Sequence, residues 1–131
     1  MQFKKITRQA IVGTGLGLLL TPMLALAAEV TIHNNTDQPS TSIINNGICS
    51  SYLPGGIGVT QPHSVNTIPS VTVYSACWAD RDNCKADIYM TSDCSGPLIG
   101  KVTLSVSEGV KDIVVYGDYS ISGNGFDITV G

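Results

Sequence analysis

Basic residues are scarce in this 131-residue chain: there are seven, and Lys4, Lys5 and Arg8 stand within its first ten positions. Across residues 28–131, four basic residues face ten acidic ones, a net charge of −6. A surface of that sign repels phosphate backbones and anionic headgroups, so neither nucleic acid nor an anionic membrane is expected as a partner. Long apolar runs are lacking too. The one candidate, Ala10 to Leu20, is short and glycine-rich, whereas a helix needs about 20 apolar residues to cross a bilayer core. The chain has no C-x-x-C redox pair, G-x-S-x-G elbow or H-E-x-x-H helix, and these absences remove the commonest sequence marks of thiol exchange, serine hydrolysis and zinc proteolysis. "GTGLG" falls in the N-terminal segment and "PGGIG" follows no unit that would cradle a phosphate. Internal repeats, linkers and a convincing helical period are likewise missing.

What is present begins with "MQFKKITRQAIVGTGLGLLLTPMLALAAEV". A basic start, an apolar stretch and Ala25-Leu26-Ala27 in order make a secretory signal peptide, with cleavage expected after Ala27. The first cysteine, Cys49, lies too far on for a lipid anchor. The expectation is a protein secreted or held in the periplasm, with no membrane insertion after cleavage. Residues 28–131 then form one domain, large enough to bury roughly two-thirds of its unfolded surface. Asn34-Asn35-Thr36 matches a glycosylation sequon, which matters only in a eukaryotic host.

Residues 28–131 alternate with a period of two. Val30 and Ile32 share a face in "EVTIH", and Val71, Val73 and Cys77 do so in "SVTVYSACW". Cys84, Ala86, Ile88 and Met90 oppose Lys85, Asp87 and Tyr89, and the pattern returns in "KVTLSV", "VKDIVVY" and "FDITV". Such segments are half-buried strands. Asn124-Gly125 before the last one signals a type I′ hairpin turn. Seven to nine short strands separated by turn clusters predict an all-β, antiparallel, Greek-key-like sandwich.

Four cysteines in an exported domain of this size should form structural disulfides. Three connectivities are open. If residues 70–78 and 84–90 form a hairpin, Cys77 and Cys84 meet at one end of it within disulfide reach, and Cys94, beyond the other end, is left for Cys49. Cys77 with Cys84 and Cys49 with Cys94 therefore rank first. Zinc is disfavoured, since the spacings are not those of a knuckle and His33 and His63 lie far off in sequence.

The stretch "CWADRDNCKADIYMTSDCSG" concentrates the remaining chemistry. Asp80, Asp82 and Asn83, joined by Asp93, offer oxygen ligands to calcium. However, no calcium-loop pattern is present and Arg81 sits among them, so the favoured reading is turn formation without a cofactor. Trp78 is read first as a core or rim side chain and second as a sugar-stacking platform. His63 adjoins Ser64, but neighbours along a strand point to opposite faces. No catalytic residue is assigned, and a triad assembled from distant residues stays open.

"VTVYSACWADRDNCKADIYMTSDCSG" resembles βγ-crystallin-like and small secreted cysteine-rich β proteins, in which an aromatic precedes a glycine turn. Tyr89 matches the first aromatic and Gly96 the glycine, while Cys94 replaces the second aromatic. Ser70 resembles a serine before a core strand, and "VNTIPS" carries half of the calcium signature. The resemblance implies a Greek-key sandwich with Gly96 at positive φ.

The functional expectation is a non-enzymatic binding protein for an extracellular protein or glycan. Trp78, Asp80, Asp82 and Asp93, with Tyr52 and Leu53, are its candidate recognition residues. The alternatives are a secreted inhibitor or toxin presenting "SSYLPGGIGV" as a rigid loop, and a small secreted hydrolase.

Overall fold

A computed structural model describes residues 28–131; the expected signal peptide, residues 1–27, lies outside the described residues. Among the described residues eight strands and one α-helix are formed: β1 (Val30–Asn34), β2 (Thr41–Ile44), β3 (Ser64–Ile68), α1 (Ser70–Ala76), β4 (Cys84–Tyr89), β5 (Leu98–Ser105), β6 (Gly109–Val115), β7 (Ile121–Asn124) and β8 (Asp127–Val130). They make two four-stranded sheets, ordered β3-β1-β8-β7 and β2-β4-β5-β6. The fold is thus a disulfide-stapled all-β sandwich.

Period-two alternation builds the core. Val30, Ile128 and Val130 from one sheet meet Ile88, Val102 and Leu104 from the other. In β4, Cys84 and Ile88 are buried while Lys85 stays exposed.

One strand pair departs from the expected antiparallel arrangement. β1 runs antiparallel to β3, with Val30 opposite Ile68, but parallel to β8, with Ile32 opposite Ile128. These strands lie at opposite ends of the domain, so no tight turn sets their relative direction; β8 takes its direction from its hairpin with β7. That hairpin also turns one residue later than expected. Asn124 pairs with Asp127, so Gly125 and Phe126 are the central residues. Gly125 has φ of 61° and occupies the first central position, as in a type II′ rather than a type I′ turn.

A second correction concerns "SVTVYSA", which is helix α1 and not a strand. The Pro69 carbonyl accepts from Thr72 N at 3.0 Å and Val73 N at 3.1 Å, and Cys77 N donates to the Val73 carbonyl at 3.0 Å. Proline at the helix entry needs no donor of its own. Val73 and Cys77, four apart, turn inward together, whereas Val71 is 71% exposed. The β-branched residues lower helix propensity by less than about 1 kcal/mol each. Burying the Val73 side chain is worth about 1.5–3 kcal/mol, so packing overrides local preference.

β2 and β3 lack a clear hydrophobic alternation. In β3, Ser64, Asn66 and Ile68 are half-buried while Val65 points outward, so polar residues occupy most of the sheltered face.

Candidate functional site

The disulfides join Cys77 to Cys84, with Cα atoms 5.3 Å apart, and Cys49 to Cys94, at 5.9 Å. The first closes a helix-to-strand loop rather than the β-hairpin expected from the sequence. Within that loop Asp80 N donates to the Cys77 carbonyl at 3.1 Å, and the Asp80 carboxylate accepts from Asn83 N at 3.2 Å. Outside strands hold it in place. Val106 N donates to the Arg81 carbonyl at 2.9 Å, and Lys111 Nζ donates at 3.0 Å to the Asp82 carbonyl and to Asn83 Oδ1.

Beside this anchored loop sits an aromatic and cationic cluster in which Trp78 and Arg81 are exposed and Tyr74, from α1, is half-buried. Tyr74 and Trp78, four residues apart at the end of α1, meet edge to face with ring centroids 5.4 Å apart and planes at 72°. The Arg81 guanidinium lies 4.9 Å from the Trp78 ring centroid and 5.5 Å from that of Tyr74, and it donates a hydrogen bond to the Tyr74 hydroxyl. Quadrupole attraction and the hydrogen bond fix the three side chains against one another. Trp78 nevertheless remains 63% exposed, on the wall of a shallow depression shared with Asp80, Asp82, Val106 and Ser107. Tyr74 was not singled out in the sequence because its relation to Trp78 appears only at helical spacing.

Asp93 does not join this group. It follows β4, whereas Asp80 and Asp82 precede it, so a whole strand separates the two loops. Its carboxylate accepts from the Ser95 hydroxyl at 2.6 Å and the Ser95 amide at 3.3 Å. These bonds hold its carboxyl below the usual carboxylate value, the Ser95 hydroxyl contributing most. Among the described residues no group of three or more His, Cys, Asp or Glu gathers as a metal site.

The segment after Cys49 forms two 3-10 turns, Ser50–Tyr52 and Pro54–Gly56. Tyr52 projects with 76% exposure, while Leu53 and Ile57 are half-buried. Its surface is therefore one aromatic and not a continuous apolar apex. Ser50 Oγ pins the segment, donating to the Gly58 carbonyl at 2.6 Å and accepting from Ser42 N at 2.9 Å.

The histidines lie elsewhere. His63, with φ of 52°, contacts the exposed Asp37, and Ser64 Oγ donates to the Pro62 carbonyl. His33 lies 3.9 Å from Asp127.

A family model described as "T2SS substrate NttC" matches residues 4–131. Among solved structures, the crystal structure of the Legionella pneumophila type II secretion system substrate NttC is similar at 28% identity, with a TM-score of 0.62, covering 79% of this chain and 96% of that one. No curated protein matches. The comparisons thus point to a secretion substrate and not to crystallin-like proteins.

Proposed function

The chain belongs to the NttC family of type II secretion substrates, and from that premise we propose that it acts after export as a non-enzymatic binding protein whose recognition surface is the Tyr74, Trp78 and Arg81 cluster. Family membership and two disulfides make it a secreted protein that passes through the periplasm. The observation supporting the binding role is Trp78, 63% exposed yet held by a ring, a guanidinium and a disulfide-closed loop. Leaving a large apolar ring in water forgoes burial, while a preorganised ring loses little entropy when a partner covers it.

Between protein and glycan, the arrangement favours protein. Arg81 occupies space over the Trp78 ring and reduces the flat area on which a sugar would stack. Trp, Tyr and Arg together are also the commonest anchors of protein interfaces. Exposed Asp80 and Asp82 provide a polar rim.

The test is a thermal-shift and binding screen of the disulfide-intact secreted protein against extracellular protein and glycan panels. A specific ligand raises apparent stability, and Trp78→Ala should weaken its binding by about 30-fold or more, as for an interface anchor. Ligands that bind Trp78→Ala as tightly as the parent would overturn the assignment.

A further inference from the structure

A second site lies between the sheets. An apolar cavity of about 110 Å³ is walled by Val30 and Ile128 on one side and by Ala86 and Val102 on the other. It reaches the surface beside α1. Leu53 and Ala76 line both this cavity and an outer groove, and that groove carries Ile48 and Val71, which are 70% and 71% exposed. The two spaces adjoin along these residues, which marks an apolar route from solvent toward the core.

We infer that this path binds an uncharged small molecule with a slender apolar tail, the tail in the inter-sheet cavity and a neutral polar end at the groove. Among the described residues, no charged side chain lines either space, so a charged group entering it would lose hydration without a counter-charge. Water is a weak occupant of so largely apolar a space, since it needs two to four polar partners, and the Ser50 hydroxyl on the lining is already engaged with the Gly58 carbonyl and Ser42 N. A dry apolar cavity of about 150 Å³ takes up benzene or xenon, so the inner space suits a few carbon atoms and the groove accommodates the rest. The site is separate from the Trp78 surface.

The experiment is a backbone NMR titration of the disulfide-intact secreted protein with 1-octanol, and with octanoate at neutral pH as the charged comparator. 1-Octanol should perturb the amides of Val30, Ala76, Ala86 and Val102, while octanoate binds at least about 10-fold more weakly because its carboxylate finds no partner. Ala86→Ile fills the cavity and should abolish the response. Ala76→Tyr blocks the mouth from a helix surface and keeps the test decisive if the core variant fails to fold. No perturbation up to the solubility of 1-octanol, equal binding of octanoate, or parental binding by a folded variant would each overturn the inference.

Discussion

Asn34 has no solvent exposure and joins three segments through one side chain. Its amide donates to the Gln38 carbonyl at 2.7 Å and the Thr60 carbonyl at 3.2 Å, and its oxygen accepts from the Thr36 amide at 3.0 Å and hydroxyl at 2.7 Å. The sequon residues Asn34 and Thr36 therefore serve a buried turn, a role that Asn-x-Thr spelling does not reveal because the Thr60 partner is 26 residues away. Asn34→Ala orphans buried groups at a cost of about 1–3 kcal/mol each. We expect a loss of about 3 kcal/mol, read from the urea midpoint. Asp93 gives a pH-dependent case. Its folded carboxyl titrates below the ordinary value, so in the window between the two the unfolded chain holds more protons and stability rises with pH. The contribution is complete above the ordinary carboxylate value and is lost as pH falls through the lowered one. Asp93→Asn should flatten the acid limb of stability below about pH 5, measured by urea melts at several pH values.

At the scale of elements, α1 shows where alternation misleads. Val71 and Val73 would share a face in a strand, but the helix exposes the first and buries the second. Val73→Ala should cost about 2 kcal/mol, and Val71→Ser less than about 0.5 kcal/mol; equal costs in equilibrium unfolding would contradict the helix. The Val73, Cys77 spacing was legible as helical, yet the short β-branched run concealed it. The disulfides also differ in effect. Cys49–Cys94 spans a sequence separation of 45 and Cys77–Cys84 one of 7, so unfolded-chain entropy assigns them about 4 and about 2.5 kcal/mol. Replacing each pair by alanine should lower thermal stability in that order, measured by calorimetry. Spacing ranked these pairs first, but through a hairpin that is absent; a helix end and a strand start can approach as closely as two strands.

For the whole molecule, the junction between sheets rests on close backbone approach. Gly109 has φ of 93°, and a Cβ there would sit 2.3 Å from the Gly125 carbonyl oxygen, beside the hydrogen bond from Val110 N to that same oxygen at 2.7 Å. Gly109→Ala adds left-handed strain of about 1–2 kcal/mol to this clash. A total loss above about 2 kcal/mol is expected in urea unfolding, with the β6 to β7 crossover loosened in amide exchange. Exported character, strand-rich class and most of the inward faces were readable along the chain, because N-terminal composition and side-chain alternation are local properties set by a few neighbouring residues. The parallel β1 and β8 contact, the helical form of residues 70–76, the separation of Asp93 from Asp80 and Asp82, and the apolar cavity lined in part by Leu53 emerge only on folding. Each depends on which distant segments share the limited interior, and burial there outweighs the small local preferences that a linear reading detects.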